Sequence, residues 1–252
     1  MSKRKLWTRL VQADINDKSN FRSLASSVER GSTVIFPDVD SLRKRDWWDE
    51  MQYTYGLLGT PTTRRLERKL AILEDARHCI VQPSGLAAIG LTMLSLLKSG
   101  DRILLPDNAY EPASDLGRYF QANFNIELAY YDPLQLDSVV ITKNTRVLWV
   151  ETPGSVSMEV ADLPALCKLA HQHDVLVVAD STWAAGISLQ VFDLGIDISI
   201  QALTKYQSGG SDVMMGSIVM RDKALHEQLL LTHMRFGFGV SPEACNIMLR
   251  SL

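Results

Sequence analysis

The sequence predicts an α/β protein of three layers, with a mainly parallel sheet of about seven strands between two layers of helices. From about residue 62 onward, short apolar runs alternate with helical stretches, which is typical of layered α/β folds. Runs such as VLVVAD (175–180) are apolar without interruption, as expected of strands that are buried on both faces. With 252 residues and 46% hydrophobic composition, the chain has enough apolar material for a sizeable core.

The individual elements follow from these patterns in chain order. The stretch TTRRLERKLAILED (62–75) places Leu66, Leu70 and Leu73 on one face and charges on the other, which predicts a helix that starts after Thr60–Pro61. Two further helices are predicted at SGLAAIGLTMLSLLK (84–98) and LPALCKLAHQH (163–173). The predicted strands are HCIVQ (78–82), RILLP (102–106), IELAYYD (126–132), TRVLWVET (145–152), VLVVAD (175–180), IDISIQ (196–201) and VMMGSIVM (213–220).

Residues 1–55 differ from the rest because they are polar and irregular. Charged residues and two tryptophans, Trp47 and Trp48, are concentrated between residues 43 and 50. We expect a solvated N-terminal arm with two aromatic anchors, and such an arm suits packing on a partner subunit.

Composition excludes several classes of protein. The net charge of −3 provides no basic surface for nucleic acid or an anionic membrane. The three cysteines, Cys79, Cys167 and Cys245, show neither metal-ligand spacing nor a disulfide framework, which favours a reducing compartment. The N-terminus lacks the apolar run of a signal peptide, and no stretch approaches the roughly 20 apolar residues of a spanning helix. We therefore expect a soluble, cytoplasmic protein.

Sites in parallel sheets lie at the carboxyl ends of the strands. Four short polar stretches follow apolar strands in this sequence: Pro83–Gly85, Asn108–Tyr110, Asp180–Thr182 and Thr204–Lys205. We expect these stretches to meet at one edge of the sheet.

Lys205 and Asp180 together indicate pyridoxal phosphate chemistry. A lysine with little water around it favours its neutral, nucleophilic form, which can form a Schiff base with a cofactor aldehyde. A buried carboxylate needs a cationic partner, and a protonated pyridine nitrogen is one. Taken singly, Lys205 can equally be an exposed loop lysine, and Asp180 can be a helix cap.

The cofactor phosphate needs hydrogen-bond donors. Ser84, Gly85 and Leu86 open a predicted helix, where free backbone N–H groups favour an anion, and Thr204 can add a hydroxyl. Tyr110 can stack on the cofactor ring. Each signal alone is weak, since small residues at helix starts and tyrosines in loops are common.

Other chemistry has less support. The dinucleotide motif GxGxxG, the P-loop motif GxxxxGK[ST] and the hydrolase motif GxSxG do not occur. His171 and His173 can bind a metal, but a solvated helix end explains them better, so we predict no metal site.

Six separated segments resemble the Cys/Met metabolism family of pyridoxal-phosphate enzymes (fold type I), and within it most closely the cystathionine β-lyases. They are YTYGLLGTPTTRRLERKLAILE (53–74), QPSGLAAI (82–89), LLPDNAYEPASD (104–115), WVETPGSVSMEV (149–160), VVADSTWAAGISL (177–189) and DISIQALTKYQSGGSDVMMG (197–216). The resemblance covers roughly residues 50–250. It implies a carbon–sulfur lyase that eliminates at Cβ of cystathionine in methionine biosynthesis, working as a homodimer or homotetramer with shared active sites.

The resemblance also implies roles for particular residues. Lys205 would carry the Schiff base, Asp180 would pair with the pyridine nitrogen, and Tyr110 would stack on the ring and assist proton transfer. Contacts to the phosphate would come from Gly85, Leu86 and Thr204. Tyr55 would reach the phosphate of the neighbouring subunit, and Asp115 would lie near the distal end of the substrate.

The sequence departs from the family at three points. Leu57 stands where the family often has an arginine, and Ala202 where it often has a serine. The family also continues into a smaller C-terminal domain that supplies the arginine for the substrate carboxylate, whereas this sequence ends at Leu252. We expect residues 1–55 to form the arm, residues 56–252 to form the PLP-binding large domain, and the small domain to be absent. The alternatives are a γ-synthase or γ-lyase of the same family and a non-catalytic remnant that binds PLP or dimerises.

Overall fold

A computed structural model describes residues 5–12, 25 and 27–252 of the chain. Its sheet has seven strands: β1 (His78–Gln82), β2 (Arg102–Pro106), β3 (Glu127–Tyr131), β4 (Thr145–Glu151), β5 (Leu176–Asp180), β6 (Ile198–Gln201) and β7 (Gly216–Met220). The strand order is β1-β7-β6-β5-β4-β2-β3. β7 runs antiparallel to both of its neighbours, and the pairs among β6, β5, β4, β2 and β3 are parallel.

Helices cover both faces of this sheet. The described part of the chain contains α1 (Leu6–Gln12), α2 (Val39–Arg43), α3 (Pro61–Leu73), α4 (Gly85–Leu96), α5 (Glu111–Phe124), α6 (Leu163–His171), α7 (Lys223–Phe236) and α8 (Pro242–Ser251). Buried side chains of α3, α6 and α8 form one core with the sheet, and those of α4, α5 and α7 form another on the opposite face. The three-layer α/β/α prediction with a mainly parallel sheet is therefore confirmed.

Each predicted strand and helix lies in the predicted place, with ends that shift by up to three residues. The largest shift is at β7, which begins at Gly216 rather than at Val213. Five described helices were not predicted: α1 and α2, which lie in the segment expected to be irregular, and α5, α7 and α8. α5 contains Pro112 and Gly117, and its pattern is broken by polar residues, so its sequence resembles a loop.

The N-terminal arm is more ordered than its composition indicates. α1 packs against α3 with Leu10 buried, and Arg9 forms an ion pair with Asp75 at 3.2 Å. Residues 1–4, 13–24 and 26 of the predicted arm lie outside the described residues. No helix in the described ranges is both long enough and apolar enough to cross a bilayer.

Candidate active site

A cavity of about 640 Å³ opens where the parallel strands end. Seven of the nine predicted site residues line it: Ser84, Gly85, Leu86, Tyr110, Asp180, Thr204 and Lys205. They come from the starts of α4 and α5, the end of β5 and the turn after β6. Chain positions up to about 120 residues apart therefore meet at one edge of the sheet.

The start of α4 forms one wall of the cavity. The Ser84 hydroxyl accepts a hydrogen bond from Ala87 N at 3.0 Å and so caps the helix. The N–H groups of Gly85 and Leu86 belong to the first turn, where no helix carbonyl is within reach. A Cβ added at Gly85 would lie 2.7 Å from Ala202 Cβ, so only glycine lets α4 lie this close to the turn after β6. This wall is suited to an anion.

The turn after β6 carries Thr204 and Lys205. Lys205 is exposed in this structure, and the prediction that little water surrounds it is wrong. The physical reason is that β6 ends at Gln201, so the lysine lies in a solvent-facing turn beyond the buried strand. The Thr204 hydroxyl donates to Met215 O at 3.2 Å and accepts from Met215 N at 3.0 Å, which fixes its position at the cavity wall.

Asp180 is the last residue of β5 and provides the acid of the site. Its carboxylate accepts a hydrogen bond from Thr182 N at 3.0 Å. Burial raises the pKa of Asp180, and the bond from Thr182 opposes that change. A cation placed beside this carboxylate would stabilise its charged form.

Glu151 is a second acid in the cavity, and the sequence analysis missed it. It ends β4 and lies opposite Asp180 in the pairing of β4 with β5. Its carboxylate accepts from Tyr110 N at 2.7 Å and from Ser155 Oγ at 2.5 Å. Burial, and then the charge of Asp180, raise the pKa of Glu151 to about 7. The sequence does contain a signal for Glu151, because it is a polar residue at the end of an apolar strand. Asp180 was identified by the same signal.

The sequence analysis also did not identify two aromatic residues of the cavity. Trp183 and Tyr206 line it with ring centroids 6.0 Å apart. Together with Tyr110 they give the cavity largely apolar walls around its few polar groups, as is common in sites for small molecules.

The structure does not bring Tyr55 and Asp115 into this cavity. Tyr55 is half exposed and lines a separate groove with Trp47 and Val39. Asp115 lies on the exposed side of α5, where it pairs with Arg118 at 3.2 Å. The resemblance assigns Tyr55 to a neighbouring subunit, and that role stays a prediction.

The residues of the cavity fit pyridoxal phosphate. The N–H groups at the start of α4 suit its phosphate, and the Thr204 hydroxyl can turn its proton from Met215 O to a phosphate oxygen. The amine of Lys205 suits its aldehyde, and Asp180 suits the pyridine nitrogen. Gly85 keeps the start of α4 against the turn that carries Lys205, since a Cβ there would meet Ala202.

Glu50, His78 and His226 form a separate polar cluster at the amino end of β1. Glu50 Oε1 lies 2.6 Å from His78 Nδ1 and 3.5 Å from His226 Nδ1. The two imidazole rings are stacked at 4.5 Å with an angle of 12° between them. Parallel rings cannot both direct an in-plane lone pair at one ion, so this geometry favours a hydrogen-bonded cluster over a metal centre.

Comparison with known proteins agrees with this site. The family model described as Cys/Met metabolism PLP-dependent enzyme matches residues 7–252. The chain is 35% identical over 226 residues to a cystathionine beta-lyase of Bordetella avium, covering 88% of the chain and 57% of that protein. It is 32% identical over 240 residues to an L-methionine gamma-lyase of Fusobacterium nucleatum subsp. nucleatum, covering 93% and 60%.

A solved structure has the same fold. The cystathionine gamma synthase of Xanthomonas oryzae pv. oryzae superposes with a TM-score of 0.91 at 26% identity, covering 100% of this chain and 63% of that one. The chain thus spans about three fifths of the length of these relatives. On the match over residues 7–252, the chain belongs to the Cys/Met metabolism PLP-dependent enzyme family, and pyridoxal phosphate is its cofactor.

Proposed function

We propose that this chain carries the cofactor-binding half of a carbon–sulfur lyase acting on cystathionine. The proposed reaction is a β-elimination in which cystathionine and water yield homocysteine, pyruvate and ammonia. The observation that carries the proposal is the single cavity in which an amine, an acid, a tyrosine and a helix start meet. Support for the β-lyase assignment comes from the resemblance and from the beta-lyase relative, whereas the family also includes γ-type enzymes.

Lys205 is the proposed catalytic base. When bound, pyridoxal phosphate supplies a ring that stabilises the negative charge left on the substrate Cα after proton removal. The Lys205 amine would hold the cofactor aldehyde, and as a free amine it would be the base that takes the substrate Cα proton. Its position in a turn, rather than in a strand, leaves its long side chain free to move between these two tasks.

Asp180 and Tyr110 complete the proposed machinery. The Asp180 carboxylate keeps a proton on the pyridine nitrogen, because an ion pair in a buried place stabilises both charges. Tyr110 lines the cavity, where its ring would stack on the cofactor and its hydroxyl would protonate the leaving sulfur. The start of α4 holds the phosphate and so fixes the other end of the cofactor.

The substrate carboxylate needs a cation that these residues do not provide. Lys205 is the only cationic side chain among the described residues that line the cavity, and it is already assigned to the cofactor. We infer that the α-carboxylate binds a group from outside them, which the resemblance places in the family's smaller domain. We propose residues 56–252 as the PLP-binding large domain, and residues 1–55 as an arm.

A second subunit is part of the proposal. Several apolar side chains at the cavity mouth and in the arm are exposed in the single chain, including Val156, Tyr206 and Tyr55. Exposed apolar surface is a candidate for contact with a partner, so these side chains support a second subunit. A homodimer or homotetramer that covers them would let Tyr55 of one subunit approach the phosphate of the other.

The experiment that tests the function is product analysis. The chain is loaded with pyridoxal phosphate and incubated with cystathionine, and the products are separated. Homocysteine with pyruvate supports the β-lyase, and cysteine with 2-oxobutyrate supports the γ-lyase alternative. Lys205→Ala serves as the control for uncatalysed breakdown. Because the group for the substrate carboxylate is proposed to lie outside the described residues, slow formation of either pair above the Lys205→Ala control still supports an enzyme. Cofactor binding with no product above that control supports the non-catalytic alternative.

A further inference from the structure

Glu151 accepts hydrogen bonds from two separate segments of the cavity wall, at Tyr110 and at Ser155. It ends β4 and is only 4% exposed, yet no cationic side chain pairs with it among the described residues. One carboxylate oxygen accepts from Tyr110 N at 2.7 Å, and the other accepts from Ser155 Oγ at 2.5 Å. Burying a carboxylate costs free energy, because the charged group loses its hydration. Its presence in this place therefore indicates a role in holding the neighbouring groups.

The contact with Tyr110 differs from an ordinary helix cap. Tyr110 precedes α5, and its side chain makes no capping hydrogen bond. By contrast, Thr60, Ser84 and Asp222 accept hydrogen bonds from N–H groups in the first turns of their own helices. Glu151 accepts from the N–H of Tyr110 itself, as the glutamate of a capping box does, but it comes from β4, so it holds the backbone of the residue whose ring faces the cavity.

The ring of Tyr110 has little else to hold it. It is 45% exposed in the single chain, and no hydrogen bond of its hydroxyl is present among the described residues. The backbone anchor therefore fixes the point from which the ring projects. Because the aromatic ring and the cofactor ring must be nearly parallel to stack, a small shift of this backbone would weaken the contact.

The contact does not depend on the charge of Glu151. If the carboxyl takes up a proton, the short contact to Ser155 can reverse, with Glu151 donating to the serine oxygen. The oxygen that accepts from Tyr110 N then keeps its role. A neutral amide of the same shape can do the same, since its carbonyl can face Tyr110 and its NH₂ can face Ser155.

We propose that Glu151 is a positioning residue that acts through Tyr110, holding its backbone so that the phenol ring stacks on the cofactor. This inference rests on the proposed function for the role of Tyr110. It concerns cofactor binding only and requires no particular substrate. Nothing in the resemblance assigned a role to this residue.

The test is a double-mutant cycle read out by cofactor binding. The variants are Glu151→Ala, Glu151→Gln, Tyr110→Ala and the double alanine variant. The dissociation constant of pyridoxal phosphate and the visible circular dichroism of the bound cofactor are measured for each. Thermal unfolding without cofactor reports whether each variant is folded.

Glu151→Ala should weaken cofactor binding about tenfold, the scale of one lost hydrogen bond to a charged group, and reduce the visible dichroism. Glu151→Gln should stay within about twofold of the wild type, because both hydrogen bonds can be kept. In the Tyr110→Ala background, Glu151→Ala should cost nothing further, since no ring remains to be positioned.

Additive effects in the double variant would overturn the proposal, and so would wild-type binding by Glu151→Ala. Failure of Glu151→Gln to restore binding would also contradict it, by showing that charge rather than hydrogen bonding matters. If the wild-type chain itself takes up no pyridoxal phosphate, both this inference and the proposed function fail. Cofactor binding with a different product pair would leave this inference standing and change only the function.

Discussion

At the residue scale, Lys205 shows how a reactive side chain can be placed without being buried. Its backbone is fixed by a hydrogen bond from Lys205 N to Ala202 O at 3.0 Å, and the neighbouring Thr204 is fixed by Met215. The side chain itself is exposed and lines the cavity. The turn thus fixes the backbone at Lys205, while the side chain stays exposed at the cavity.

Lys205→Ala should abolish covalent attachment of the cofactor, because no other lysine lines the cavity among the described residues. The measurement is the amount of pyridoxal phosphate that borohydride fixes to the protein, together with the visible absorbance of the loaded chain. Lys223→Ala, at an exposed position on α7, is the control and should label like the wild type. Wild-type labelling of Lys205→Ala would contradict the assignment.

Asp180 is the acid whose charge the proposal requires. Asp180→Asn keeps the size of the side chain and the bond from Thr182 N, but it cannot stabilise a protonated ring nitrogen. We expect covalent attachment at Lys205 to persist while the exchange of the substrate Cα proton slows by about 10²-fold or more, the usual scale for losing one electrostatic contact to a developing charge. Exchange of that proton into deuterium oxide measures the effect. An exchange rate near that of the wild type would remove Asp180 from this role.

At the scale of elements, the start of α4 packs so closely against the turn after β6 that no side chain fits between them. Gly85 allows it, since a Cβ there would lie 2.7 Å from Ala202 Cβ and 3.1 Å from Ala202 Cα. Gly216 on β7 is similarly tight, because its Cβ would lie 2.4 Å from Ser84 O. Two glycines on separate elements therefore bring the helix start and the sheet together.

Gly85→Ala should weaken pyridoxal phosphate binding by about tenfold or more, because α4 must move away from the turn that carries Lys205. Gly90→Ala is the matched control in the same helix, since its Cβ would meet only Leu116 Cδ2 at 3.5 Å. That substitution should leave binding unchanged and raise stability by up to about 1 kcal/mol through helix propensity. Equal effects of the two substitutions on cofactor affinity would show that the contact with Ala202 is not what matters.

At the scale of the whole molecule, the described part of the chain buries several acids. Glu74 is 3% exposed and accepts a hydrogen bond from Ser199 Oγ. Burial raises the pKa of Glu74 to about 7, and burial does the same for Glu67, which also pairs with Arg64 at 3.1 Å. These acids make the stability of the molecule depend on pH.

The direction of the pH dependence follows from whether the folded or the unfolded chain binds more protons. Between about pH 4.5 and 7 the folded chain keeps a proton on Glu74 that the unfolded chain releases, so folding stability falls as pH rises through this window and levels off above it. His226 acts in the opposite direction over an overlapping window, because burial lowers its pKa from 6.5 to about 4, so its contribution to stability rises with pH between these values. Comparing a single variant with the wild type isolates the contribution of Glu74.

Glu74→Gln should therefore be more stable than the wild type at pH 8 and show little difference at pH 4.5. The difference of about 2.5 between the two pKa values of Glu74 corresponds to at most about 3 kcal/mol. Urea unfolding at pH 4.5, 6 and 8 measures the free energies. An advantage of the variant that does not grow with pH would contradict the assignment of the proton to Glu74.

The sequence by itself determined the fold class, the seven strands and the chemistry of the cavity. Uninterrupted apolar runs identify strands that are buried on both faces, and the polar residues directly after them identify the edge where a site forms. Seven predicted site residues meet at that edge for this reason. The sequence did not predict helices α5, α7 and α8, because their local patterns are weak and packing against the sheet stabilises them.

Only the tertiary structure decided which polar residues share one environment. Glu151 and Asp180 lie 29 positions apart, and their proximity follows from the pairing of β4 with β5 rather than from any local pattern. The exposure of Lys205 depends on β6 ending at Gln201, four residues earlier than the lysine. Periodicity reports which face of an element is buried, whereas contacts between elements depend on strand order and register, which the chain reaches only when it folds.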